Sequence, residues 1–61
     1  MTTSVIANRN TIWLNGNDPC VLNKRDIYQV LATNVADTIV LPARSGRWYP
    51  VDREDLVWLL S

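Results

Sequence analysis

The chain has no histidine and a single cysteine among its 61 residues. That leaves no donor set for a cysteine–histidine zinc site, and one cysteine cannot close an internal disulfide. With two glycines there is no glycine-rich loop to cradle a phosphate. At this length folding hides only about 60% of the surface that the unfolded chain exposes. Small domains usually add disulfides, metals or oligomerisation. Dense packing and self-association remain, and three tryptophans, two tyrosines and many branched aliphatics suit both. Net charge is also lacking, with six basic against six acidic side chains. This balance argues against a strong nucleic-acid binder, which usually carries a basic excess. The charge is segregated, however: Arg44 and Arg47 sit together, and Asp52, Glu54 and Asp55 crowd the next turn.

Long apolar runs are absent too. The longest, Leu56 to Leu60, is far too short to span a bilayer, and no basic start followed by an apolar stretch marks a signal peptide. A complete, soluble, cytoplasmic gene product with no membrane partner is the expectation. No internal repeat, linker or low-complexity segment divides the chain, so one domain is expected.

The stretch Ile39 to Leu60 organises what is there. Ile39-Val40-Leu41 is β-branched and apolar, as strands prefer. Ser45-Gly46 is a turn pair, and Trp48-Tyr49-Pro50-Val51 returns the chain. Asp52 reads as an N-cap, with Asp55 three residues on as a short capping-box partner. A helix then runs from Arg53 to about Leu60. Its core face is Leu56, Leu59 and Leu60, and Trp58 lies nearly opposite, beside Glu54 and Asp55.

Upstream, Met1 to Asn10 reads as a frayed tail or a short edge strand. Thr11-Ile12-Trp13-Leu14 reads as a strand, and Asn15-Gly16-Asn17-Asp18 as a turn. Cys20-Val21-Leu22 returns behind Pro19, which places it at an edge or delays its pairing until after the proline. Asn23 caps a helix running to about Ala32, with Ile27, Val30 and Leu31 on one face, and Thr33-Asn34 stops it. Val35 to Leu41 admits two readings: strand from about Thr38, or a short extra helix near Val35-Ala36-Asp37. The order is therefore ββαββα, an α+β domain with two β-hairpins and two short helices.

Five groups of residues are candidates for chemistry or contacts. Arg44 and Arg47 flank a turn beside Trp48 and Tyr49; guanidiniums there can straddle phosphates and the aromatics can stack on bases. The plainer alternative pairs the arginines with Asp52, Glu54 or Asp55 and puts Trp48 in the core. Lys24 and Arg25 occupy the first turn of the first helix, where its dipole disfavours cations by roughly 0.3–1 kcal/mol each. Free N–H groups and two cations there make an anion site; alternatively, Asp26 offsets them and their stems cover apolar surface. Trp58, with Glu54 and Asp55, reads as a contact surface for a protein partner or a second copy, or else the N-terminal segment folds over it. Cys20 reads as a buried strand residue, because a nucleophile needs a base and there is no histidine. A carboxylate pair among Asp52, Glu54 and Asp55 needs a desolvating cleft for acid–base work, and so small a domain has little room for one.

Leu41-Pro42-Ala43-Arg44-Ser45-Gly46-Arg47-Trp48, followed by Asp52-Arg53-Glu54-Asp55-Leu56-Val57-Trp58-Leu59, resembles the end of small winged-helix regulators of the excisionase and AlpA-like type. These belong to phages and mobile elements. The likeness covers about a third of the chain. It implies that Arg44 and Arg47 are wing contacts to DNA and that Asn23 to Ala32 opens a helix-turn-helix. The recognition helix would fall between Thr33 and Leu41, a short, strand-like segment without lysine or arginine, and that family is usually basic. The resemblance thus implies a reduced or repurposed reader.

These observations lead to a non-catalytic binding protein without cofactor, metal or small-molecule substrate. Its partner is DNA, held through the cationic β-wing, or alternatively a larger host protein that it inhibits or recruits. Self-association to a homo-oligomer is expected in either case.

Overall fold

The computed structural model describes residues 3–61. Its elements are β1 (Val5–Asn8), β2 (Thr11–Leu14), β3 (Asp18–Asn23), α1 (Lys24–Thr33), β4 (Thr38–Pro42), β5 (Trp48–Asp52) and α2 (Arg53–Leu60). The α+β class, the two hairpins and the two short helices expected from sequence are all present. Within the N-terminal stretch read as a frayed tail or edge strand, Val5–Asn8 forms β1, while Met1 and Thr2 lie outside the described residues, so the order is βββαββα.

β1, β2 and β3 form an antiparallel meander, and β4 and β5 a separate hairpin. Two contacts curl these sheets toward each other. Cys20 bridges Ala43, and the Thr3 N–H donates to the Pro50 carbonyl at 3.1 Å. Pro19 lies within β3 without breaking it, and its carbonyl accepts from the Arg44 N–H at 2.9 Å. The β2–β3 turn carries Asn15 and Gly16 at φ of 57° and 82°, left-handed values that asparagine and glycine tolerate best.

Alternation places one face of each strand inside. Ile12 and Leu14 from β2, Cys20 from β3, and Ile39, Leu41 and Val51 from the second hairpin are buried. Ile27 of α1 and Leu56 of α2 complete this core, with Val30, Leu31, Leu59 and Leu60 packed at its margin. Both helices therefore bury the faces expected from their periodicity, and Cys20 is a core residue.

The segment after α1 is settled by side-chain chemistry. Asn34 leaves the helix with extended backbone, and its Oδ1 accepts from the Ala36 N–H at 3.0 Å. This Asx turn competes with helix, so no helix forms at residues 35–37 and β4 starts at Thr38. The second helix of a helix-turn-helix is thus not found between α1 and β4. Arg53 fixes the same region from the other side. Its guanidinium donates to the carbonyls of Asn34 and Leu31, satisfying the C-terminal end of α1 with a cation. No helix among the described residues is long and apolar enough to cross a membrane.

Candidate functional site

The β4–β5 hairpin is five residue pairs long, from Thr38↔Asp52 to Pro42↔Trp48. Ile39, Leu41 and Val51 face the core, whereas Val40, Trp48 and Pro50 face outward. At the tip the Ala43 N–H donates to the Arg47 carbonyl at 2.8 Å and the Gly46 N–H to the Ala43 carbonyl at 3.0 Å. Gly46 has φ of 96°, so this is a three-residue loop with glycine in the left-handed position. Arg44 and Arg47 flank Ser45-Gly46 and are both exposed. Trp48 is 64% exposed, so it is presented beside the arginines and not packed inside.

The tip is braced from β3. The Asp18 carboxylate accepts from the Ser45 hydroxyl at 2.6 Å and from the Tyr49 hydroxyl at 2.8 Å. These two hydrogen bonds, Ser45's the larger, lower the Asp18 pKa, with Arg47 adding a smaller favourable charge. The same carboxylate raises the Tyr49 pKa, because a phenol that donates to an anion resists ionising. Tyr49 is thus a brace, and Trp48 is the aromatic that the tip offers. The alternative pairing of the arginines with Asp52, Glu54 or Asp55 does not arise. Those carboxylates sit at the base of the hairpin, about 16 Å from its tip at 3.3 Å per strand residue.

A second cationic group lies at the far end of β3. Asn23 caps α1 in a full capping box, its Oδ1 accepting from the Asp26 N–H at 2.9 Å while Asp26 Oδ2 accepts from the Asn23 N–H at 3.2 Å. The Lys24 N–H donates to the Asn10 carbonyl at 3.0 Å. Three of the amides at this helix start, those of Asn23, Lys24 and Asp26, are therefore already engaged, and any anion contact here falls to the Lys24 and Arg25 side chains. Arg25 is exposed and lines a polar depression with Asn10 and Asn23. The β1–β2 turn brings Arg9 to this end, with φ of 58°. Arg9 escapes sequence reasoning because its position depends on the pairing of β1 with β2.

The third region is the start of α2. Asp52 holds the N-cap position, but its side chain makes no cap hydrogen bond, so the expected Asp52–Asp55 capping box is not formed. Asp52 continues the extended β5 ladder, and the Arg53 N–H is taken by the Asp37 carbonyl at 2.7 Å. Carboxylates in this first turn still complement the helix dipole. Those of Asp52, Glu54 and Asp55 lie within 4.8 Å of one another. Beside them a groove of about 500 Å³ is lined by Asp37, Glu54, Val57 and Trp58, among others. Trp58 is 83% exposed, so no described segment covers it.

Cys20 is buried, and desolvation pushes its thiol pKa up, away from nucleophilic character. The sites proposed from sequence therefore separate into a cationic hairpin tip, a cationic helix start and an acidic, aromatic groove. No protein-family model, curated protein or solved structure matches the chain.

Proposed function

We propose that this protein is a non-catalytic nucleic-acid-binding protein that holds the phosphate backbone of DNA at two cationic clusters. One observation carries this reading. Of the six basic side chains, five flank β3: Arg9, Lys24 and Arg25 at its end, Arg44 and Arg47 at its start. Four of the six carboxylates, Asp37, Asp52, Glu54 and Asp55, gather instead at the start of α2. Zero net charge therefore conceals a polarised molecule, and the objection raised by composition weakens. The two carboxylates near the cations, Asp18 and Asp26, are engaged in bracing and capping.

The clusters are separated by β3, six residues or about 16 Å of strand. In this reading Arg44 and Arg47 contact phosphates and Trp48 covers a sugar or stacks on a base. Lys24 and Arg25, with Arg9, supply the second contact. With no helix between α1 and β4 to enter a major groove, affinity in this reading rests on the backbone and tolerates sequence changes. A small cytoplasmic regulator of phage or mobile-element type is the setting that the resemblance of residues 41–60 implies.

A second reading is favoured by Trp58, which stands exposed over the groove. There the partner is a larger host protein, and Trp58, Glu54 and Asp55 form the contact. Affinity capture from host lysate, with and without nuclease, separates the two. DNA fragments that nuclease abolishes support the first reading. A stoichiometric protein that survives nuclease supports the second and counts against the first.

A further inference from the structure

The groove on α2 has an occupant of matching chemistry elsewhere on the same chain. Its wall is Val57 and Trp58, 46% and 83% exposed. Asp37 and Glu54 bring exposed carboxylates to its lining. Arg53 also lines it, but that guanidinium is committed to the carbonyls of Leu31 in α1 and of Asn34 just beyond it. An indole face beside carboxylates suits a guanidinium, which stacks on the ring and donates in a fork to the acids. The hairpin tip presents Arg44 and Arg47 beside the exposed Trp48.

Tip and groove lie at opposite ends of one rigid ladder, about 16 Å apart by strand rise, so a chain cannot reach its own groove. A second copy can. Zero net charge also removes long-range repulsion between copies. We infer that the protein self-associates head to tail, the Arg44–Arg47 hairpin of one copy seating in the Trp58 groove of the next. The two surfaces differ, so the contact is heterologous and extends beyond a dimer unless the rotation closes a ring.

The test is sedimentation equilibrium on the full chain, without nucleic acid, at low and high salt. Three folded variants accompany it, checked by circular dichroism: Arg44→Glu with Arg47→Glu, Asp37→Lys with Glu54→Lys, and Trp58→Ala. The wild-type mass should rise above 7.0 kDa with concentration at low salt and fall back at high salt. Each charge-reversed variant alone should stay monomeric, and mixing the two in equal amounts should restore association. Trp58→Ala should weaken it roughly tenfold, as loss of a hot spot does. A wild-type mass fixed at the monomer value overturns the inference. So does association that survives either charge reversal, or a mixture that stays monomeric. Because nucleic acid is absent, failure here leaves the proposed DNA contact standing, and the reverse also holds.

Discussion

The Tyr49 hydroxyl donates to the Asp18 carboxylate across 2.8 Å, joining β5 to the first residue of β3. Ser45 reaches the same oxygen from the turn itself, at 2.6 Å. One carboxylate thereby fixes both the tip and the returning strand of the hairpin that carries Arg44, Arg47 and Trp48. Holding the tip before any ligand arrives reduces the ordering cost of binding.

This brace has a pH signature. The Asp18 pKa is lowered in the folded state, so its contribution is present above the ordinary carboxylate range and is lost as pH falls through the folded value. The Tyr49 pKa is raised, so its contribution is present below the ordinary phenol range and is lost as pH climbs through the folded value. Thermal melts of the wild type should therefore weaken on the acid side. In Asp18→Asn that acid dependence should be shallower, and in Tyr49→Phe the alkaline loss should be reduced. Identical pH profiles for wild type and Asp18→Asn contradict the brace.

Gly46 should resist substitution for conformational reasons alone. A Cβ there meets nothing within 4 Å, yet φ is 96°. Gly46→Ala should cost about 1–2 kcal/mol in urea unfolding, the penalty of the left-handed region for an L-residue. Gly46→Asn should cost less, because asparagine tolerates that region better.

Two residues of α2, two positions apart, should behave oppositely. Leu56 is fully buried and Trp58 is 83% exposed. Leu56→Ala should destabilise by about 2–5 kcal/mol, as truncation in a packed core does. Trp58→Ala should change stability by no more than about 0.5 kcal/mol, the range for surface sites away from special features. Chemical denaturation of both variants checks the helix orientation directly.

Asn23 offers a third stability test. Its side chain accepts from the Asp26 N–H, and Asp26 returns the bond to the Asn23 N–H. Asn23→Ala should cost about 0.5–2 kcal/mol, and Asn23→Asp much less. Equal losses in the two variants would argue for packing over capping.

What the sequence revealed was local. The Asn23 cap, the span of α2 from Arg53 to Leu60, the Asn15-Gly16 turn and the Ser45-Gly46 turn all depend on residues within a few positions of one another. The arginines and Trp48 were therefore legible as a projecting group. Longer contacts were not. Asp18 meets Ser45 from 27 residues away, and no local pattern announces that pairing. Arg9 comes to the end of β3 that carries Lys24 and Arg25 only through the β1–β2 turn, and Arg53 is taken up by carbonyls at the C-terminal end of α1, 19 and 22 residues back. Asp52 shows the converse failure. Its residue type favours a cap, but the cap hydrogen bond does not form where the β5 ladder continues to Thr38.

The central claim is that phosphate contacts run through the hairpin tip. Its most direct test is the salt dependence of binding to a short DNA duplex, measured by fluorescence anisotropy for the wild type and for Arg44→Ala with Arg47→Ala. Each phosphate contact contributes about −0.9 to the slope of log affinity against log salt on B-form DNA. The double variant should therefore bind more weakly, with a slope shallower by about 2. An unchanged slope, or a wild type that fails to bind DNA even at low salt, would contradict the account.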